Sequence, residues 1–160
     1  MANPAKPIPE GHPTITPGLV CKGAARAIDF YKQVFGAKEL MRMEGPGGSI
    51  GHAELTIGNS KIMLNDEFPG MATAPSGCTG HALYVYVEDC DAVFNRAVAA
   101  GATVVMPPMN QFWGDRHGVF TDPFGHRWNL ATHVEDVAPA EMERRAKEWM
   151  AKAAAGARAN

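Results

Sequence analysis

From Ile50 to Ile57 the chain alternates with period two: His52, Glu54 and Thr56 fall on one side of a strand, and Ala53, Leu55 and Ile57 on the other. Gly58-Asn59-Ser60 then turns the chain into a partner strand, Lys61 to Asn65, which closes a hairpin. Upstream, Ala24 to Phe35 repeats with helical spacing and gathers Ala27, Ile28, Tyr31, Val34 and Phe35 on one face. Gly36 stops that helix. Thr14 to Cys21 before it and Ala37 to Glu44 after it have strand character, and Gly45-Pro46-Gly47-Gly48 is a turn.

The order then recurs. His81 to Val87 reads as a strand, and a helix capped by Asp89 or Asp91 runs to Ala100 and stops at Gly101. Ala102 to Met106 reads as a strand that Pro107-Pro108 breaks, leaving a loop to Asp115. His117 to Thr121 and His126 to Ala131 form a last hairpin around Asp122-Pro123-Phe124-Gly125. The helix-ending glycines, 36 and 101, lie 65 residues apart, and the same offset pairs Thr16 with His81. The expected fold is α+β: two tandem βαβββ modules at 14–66 and 81–133, joined by a Pro/Gly/Ser-rich linker at 67–80. A flexible Pro-rich leader occupies 1–13. Residues 134–160 hold a terminal helix, Pro139 to Ala155, with Asp136 as a candidate cap. Its stripe of Met142, Ala146, Trp149 and Met150 suits packing on a sheet edge, on the other module or on a second subunit.

Composition narrows the class of protein. Apolar residues make up 46% and charged residues 20%, with a net charge of −2, which excludes a disordered chain and a basic nucleic-acid footprint. No apolar run approaches the roughly 20 residues that span a bilayer, and the leader lacks the apolar stretch of a signal peptide. Cys21, Cys78 and Cys90 are odd in number with no C-x-x-C spacing, so they read as reduced thiols, pointing to a cytoplasmic protein. Phosphate-loop, dinucleotide and G-x-S-x-G fingerprints are missing. Glu88, Asp89 and Asp91 surround Cys90 with the wrong charge for a nucleophile.

Ala27-Ile28-Asp29-Phe30-Tyr31 with Val34-Phe35-Gly36-Ala37 resembles the first helix of the vicinal oxygen chelate superfamily (glyoxalase, bleomycin-resistance and dioxygenase proteins). Gly80-His81-Ala82-Leu83 with Val85 and Val87 resembles the start of its second module. Asp122-Pro123-Phe124-Gly125-His126 with Trp128 and Leu130 resembles its closing hairpin. Gln111-Phe112-Trp113-Gly114-Asp115-Arg116 makes the chain most similar to the PhnB-like branch. The resemblance implies that the two modules' mixed sheets curl around a shared pocket for a small molecule. It also implies a homodimer, and, in metal-dependent members, one ligand on the first and one on the last strand of each module.

Those positions correspond to Thr16 and Met63 in the first module, and to His81 and Asn129 in the second. His81 is a first-rate ligand, whereas Thr16 and Asn129 are weak and a Met63 thioether is too soft for a hard dication. His52, Glu54 and His81 offer a replacement set for Zn, Ni, Fe or Mn if their strands adjoin. Alternatively, His52 and Glu54 form an acid–imidazole pair able to move a proton, and His81 bonds Asn129 or a ligand carbonyl without any metal. Asn65 shares the face of Met63. Phe112 and Trp113 end an apolar loop, Met106 to Trp113, suited to closing over a ligand or to plugging the sheet. Arg116 either holds an anionic ligand group or pairs with Asp115. Tyr84, Tyr86 and Phe94 read as core. His117 and His126 read as exposed, and His133 lies at the mouth of the pocket.

The expected function is small-organic-molecule binding without the complete inherited metal site. A metal-dependent lyase or isomerase of glyoxalase type, with a rearranged His/Glu site, is the alternative, so whether the protein is an enzyme stays open. The expected partners are a small molecule and a second copy of the chain, with neither nucleic acid nor membrane.

Overall fold

A computed structural model of the protein describes residues 7–77 and 80–157, so Cys78 lies outside the described residues. The chain forms two compact units, Met1–Gly80 with Asp122–His126, and His81–Thr121 with Arg127–Asn160. None of the described helices is long and apolar enough to cross a membrane.

In the first unit the elements are β1 (Gly18–Cys21), α1 (Ala24–Phe35), β2 (Lys38–Glu44), β3 (Ile50–Ile57) and β4 (Ser60–Asp66). Their sheet has the order β1-β4-β3-β2, with β1 parallel to β4 and the other pairs antiparallel. Leu19, Cys21, Ala53, Leu55, Ile62 and Leu64 are buried on one sheet face, as are Ala27, Ile28, Tyr31 and Val34 of α1. Period two in the strands and period 3.6 in the helix thus feed one core. Gly36 ends α1 at φ 66°, a left-handed turn that glycine enters without steric cost. The helix start lacks a local side-chain cap, and Asp66 from β4 supplies one. Its Oδ1 accepts from the amides of Gly23 and Ala24, each at 2.8 Å, and its Oδ2 accepts from Ile50 N at 2.7 Å.

The Asp122–His126 turn belongs to this unit. Tyr31 donates to Asp122 at 2.8 Å, His126 Nε2 bonds the Val20 carbonyl at 3.0 Å, and Phe124 packs edge-on against Phe30 and Tyr31. His126 is therefore buried, not exposed as its turn position suggested. A partner more than a hundred residues away in sequence leaves no local pattern.

In the second unit the elements are β5 (Ala82–Tyr86), α2 (Cys90–Ala99), β6 (Thr103–Asn110), β7 (Asp115–Thr121), β8 (Arg127–His133) and α3 (Pro139–Ala157), with sheet order β5-β8-β7-β6. Asp89 caps α2 by accepting from Ala92 N at 2.9 Å. Phe94, Phe120, Trp128 and Leu130 fill the core beneath α2. Pro107-Pro108 does not break β6, because β6 is an edge strand whose register shifts between Val104 and Met109. Edges and bulges are where proline's missing N–H leaves no ladder bond unmade. The apolar loop shrinks accordingly to Gln111–Gly114, between β6 and β7.

That turn anchors α3. Arg145 bonds the Phe112 carbonyl at 3.3 Å and the Glu135 carboxylate at 2.8 and 2.9 Å, while Phe112 packs on Trp149. Gly114, at φ 96°, accepts from the amides of Val134 and Glu135, and an added Cβ would sit 2.1 Å from the Glu135 carbonyl.

The fold is thus the α+β double βαβββ arrangement, with two four-stranded mixed sheets. The ladders refine its internal repeat. Gly18 pairs with Met63, and Tyr84 with Asn129, so the first and last strands of the modules correspond at an offset of 66 residues. A shift of one residue turns a side chain to the opposite face of a sheet. An offset of 65 therefore matches Thr16, on the face of Gly18, with His81, on the face of Leu83. The structure puts Ala82 at the position equivalent to Thr16, and Tyr84, not His81, opposite Asn129.

Candidate functional site

Each sheet leaves one face uncovered by its helix. On the first sheet this face carries Met41, Met43, His52, Glu54, Lys61 and Met63, with Met43 opposite His52 and Met63 opposite Glu54. Beside Glu54 and Met63 opens a cleft of about 570 Å³, walled by the leader residues Pro7, Ile8, Pro9 and Pro13. Thr14, Thr16 and His12 also line it.

His12 Nε2 lies 3.4 Å from Glu54 Oε1 and 3.3 Å from Oε2. His52 Nε2 lies 3.5 Å from Oε1, and Lys61 Nζ 4.0 Å from Oε2. Burial pushes the Glu54 carboxyl up, but hydrogen bonds from His52 and His12 and the positive charge of Lys61 outweigh it, so the net shift is down. His12 Nδ1 is buried without a hydrogen-bond partner. The strands thus hold His52 and Glu54 side by side, as their i, i+2 spacing requires. Asn65, on the same face as Met63, is engaged locally, donating to the Asp66 carbonyl at 2.7 Å. His12 joins this cluster from the leader, a contact across 42 residues that no spacing rule reveals.

The second sheet's open face is aromatic. Tyr84 and Tyr86 have ring centroids 5.3 Å apart. Tyr84 stacks on His117 at 5.3 Å with the planes 4° from parallel, and His117 meets Trp113 at 5.8 Å. Both ends of this run of rings bond one carboxylate. Asp115 accepts from the Tyr86 hydroxyl at 3.0 Å and from Trp113 Nε1 at 3.1 Å, and His133 Nδ1 donates to it at 2.9 Å. Asp115 is 2% exposed. Burial pushes its carboxyl up, and the bonds from His133, Tyr86 and Trp113 bring it below the usual carboxylate range. His133 is raised, first by its bond to Asp136 and then by Asp115. Burial pushes the Tyr84 phenol up to about 12, the neighbouring Tyr86 and Asp115 adding to it. His117, only 7% exposed, has its Nε2 3.0 Å from the Asn129 carbonyl oxygen.

Of the residues that sequence reasoning selected here, Trp113 and Asn129 lie on this aromatic face. Phe112 turns away to Trp149. Arg116 is on the α2 side of the sheet, where it forms a two-pronged ion pair with Asp91, not Asp115, and bonds Asn110 at 3.2 Å. The reason is parity: Asp115 and Arg116 are adjacent in a strand and point to opposite faces. His81 is exposed and precedes β5, in a different unit from His52 and Glu54. Among the described residues, no three His, Cys, Asp or Glu side chains gather as a group able to hold a metal ion.

Sequence reasoning passed over Tyr84 and Tyr86 as site residues, offered Asp115 only as a partner for Arg116, and set His133 at the mouth of the pocket without a role. Tyr84 and Tyr86 read as core, yet they are 47% and 64% exposed, because they share the open face with Asn129 and Ala131. The available signal was period two: extended by two residues, the His117 strand places Asp115 on the same face as His117.

The sequence profile of the glyoxalase/bleomycin resistance protein/dioxygenase superfamily matches residues 12–130. An uncharacterized protein of Mycobacterium tuberculosis (strain H37Rv) is 45% identical over 137 residues, covering 82% of this chain and 81% of that protein. Among solved structures, TioX from Micromonospora sp. ML1 is 31% identical, with a TM-score of 0.61 over 77% of this chain and all of TioX. The PhnB protein from Bacillus cereus, 23% identical with a TM-score of 0.61, covers 75% of this chain and 99% of its own, and shares the fold.

Proposed function

The chain belongs to the glyoxalase/bleomycin resistance protein/dioxygenase superfamily, and on that premise we propose that it binds a small, planar organic molecule on the open face of its second sheet, without the inherited divalent metal. One observation carries this reading: the run Tyr86–Tyr84–His117–Trp113, tied at both ends to the buried carboxylate of Asp115. Rings fixed by bonds to a buried anchor lose little side-chain freedom when a ligand stacks on them, which lowers the cost of binding.

The residues at the inherited ligand positions do not fit a hard dication. Thr16 and Met63 offer a hydroxyl and a thioether. Opposite each other in the ladders stand Gly18 with Met63 and Tyr84 with Asn129. The Tyr84 phenol, pushed up to about 12, stays neutral at physiological pH, and the Asn129 carbonyl is engaged by His117. No catalytic step is therefore routed through an ion. The second reading, a metal-dependent lyase or isomerase using His52, Glu54 and His81, has one observation in its favour: His52 and a second imidazole, His12, both approach Glu54. Cytoplasmic residence and homodimerisation belong to the proposal. The exposed side chains of Trp149 and Met150 on α3 favour association, and a monomer in sedimentation at micromolar concentration would count against it.

The test is a thermal-shift screen of planar aromatic compounds on chelator-treated protein. A compound that raises the melting temperature of the native chain, and fails with Tyr84→Ala, supports the reading. Stoichiometric Zn, Ni, Fe or Mn lost on His52→Ala and His81→Ala substitution would remove it.

A further inference from the structure

We propose that the cleft of the first unit is a second binding site, one that takes the ammonium group of a small organic amine on Glu54. The proposal does not rest on the aromatic face, because its residues belong to the other sheet, and it needs no metal.

Three observations converge on it. The first is the lining: Pro7, Ile8, Pro9, Pro13 and Met63 supply apolar walls, and among the described residues Glu54 is the one Asp, Glu, Lys or Arg in the lining. An apolar body with a cationic end complements such a wall. The second is that Glu54 is held in its charged form yet incompletely bonded. A carboxylate offers about four lone-pair positions, and charge-assisted N–H···O bonds close to about 2.7–2.9 Å. The approaches to Glu54 from His12 and His52 are 3.3–3.5 Å, and Lys61 stands at 4.0 Å. Lys61 does not line the cleft, so a ligand entering there meets the carboxylate, with the lysine outside the lining.

The third observation is His12. This leader imidazole reaches across to the carboxylate with Nε2 and leaves its Nδ1 buried and unpartnered. An unpartnered buried nitrogen costs free energy, so the contact is one that a better donor displaces. An ammonium with three N–H donors serves Glu54 better than one long imidazole contact, and shifting His12 frees Nδ1 to find water. The leader residues are then a wall of the site as well as its occupant, and three prolines among them, Pro7, Pro9 and Pro13, limit what ordering that wall costs.

The experiment is an NMR titration of the full chain with benzylamine, benzyl alcohol and benzoate at pH 7.5, reading the imidazole C–H signals, with that of His12 assigned by His12→Gln. Benzylammonium is expected to move the His12 signal and to bind roughly tenfold more tightly than the isosteric alcohol, with benzoate weakest. Glu54→Gln, folded by circular dichroism, is expected to erase the preference, whereas Tyr84→Ala retains it. Equal affinity for amine and alcohol in the native chain overturns the proposal without any variant. So does a preference that survives Glu54→Gln, or one that Tyr84→Ala abolishes, which would assign the amine to the aromatic face instead.

Discussion

The open faces of the two sheets each carry a carboxylate beside an imidazole, but the two carboxylates are held in opposite ways. Asp115 is 2% exposed and receives three hydrogen bonds of 2.9–3.1 Å from Tyr86, Trp113 and His133. Glu54 receives two imidazoles at 3.3–3.5 Å and an ammonium at 4.0 Å, at the edge of an open cleft. A saturated carboxylate fixes its donors in place, and so Asp115 is an anchor for rings. An unsaturated one keeps capacity for a ligand. Charge alone does not distinguish these roles; the count and length of the bonds does.

The sharpest way to break the comparison is to remove each carboxylate. Asp115→Ala removes the buried end of the ion pair with His133, leaves three donors without their acceptor, and is expected to cost about 3 kcal/mol in urea unfolding. Glu54→Ala, with loose and partly solvated partners, is expected to cost under about 1 kcal/mol. Equal losses would erase the distinction. Next in size is Gly114→Ala, which forces a Cβ toward the Glu135 carbonyl at a positive φ. It is expected to cost about 2 kcal/mol and to free the β6–β7 turn from α3, seen as faster amide exchange at Val134 and Glu135.

The pH response sharpens the comparison further. Asp115 sits below its ordinary range, so its contribution is complete above about pH 4 and is lost on acidification. His133 sits above its ordinary value, so its contribution is complete below about pH 6.5 and is lost as pH rises through the elevated folded value. Thermal melts from pH 6 to 9 should therefore show a decline that His133→Gln removes. An unchanged slope in the variant would place the decline elsewhere. The smallest expected effect is that of His52→Ala, within about 0.5 kcal/mol, since its bond to Glu54 is long and its side chain is one-third exposed.

How much of this was legible follows from what each feature depends on. The elements β3 and α1 run over the residues that their own periodicity marks, because a strand or helix with one buried face writes that face into local spacing. The double module was legible from its matched helix-ending glycines, and the family from the resemblance of motifs such as Asp122-Pro123-Phe124-Gly125-His126. The aromatic face was only half legible. Trp113 and Asn129 stood out, whereas Tyr84 and Tyr86 passed for core, since alternation says that two faces exist and not which one the helix covers. His81 and Thr16 were matched by an offset read from the glycines at 36 and 101, which fails by one residue in the first and last strands, where one residue decides the face. His12 and Asp136 act through contacts that no periodicity encodes.

The most direct test of the account is binding of a planar aromatic compound from the thermal-shift screen, titrated into metal-free native protein and into Tyr84→Ala. The account predicts saturable binding to the native chain with chelator present, and a loss of roughly tenfold or more in the variant. Binding that appears only after a divalent ion is restored, or that persists unchanged in Tyr84→Ala, would contradict it.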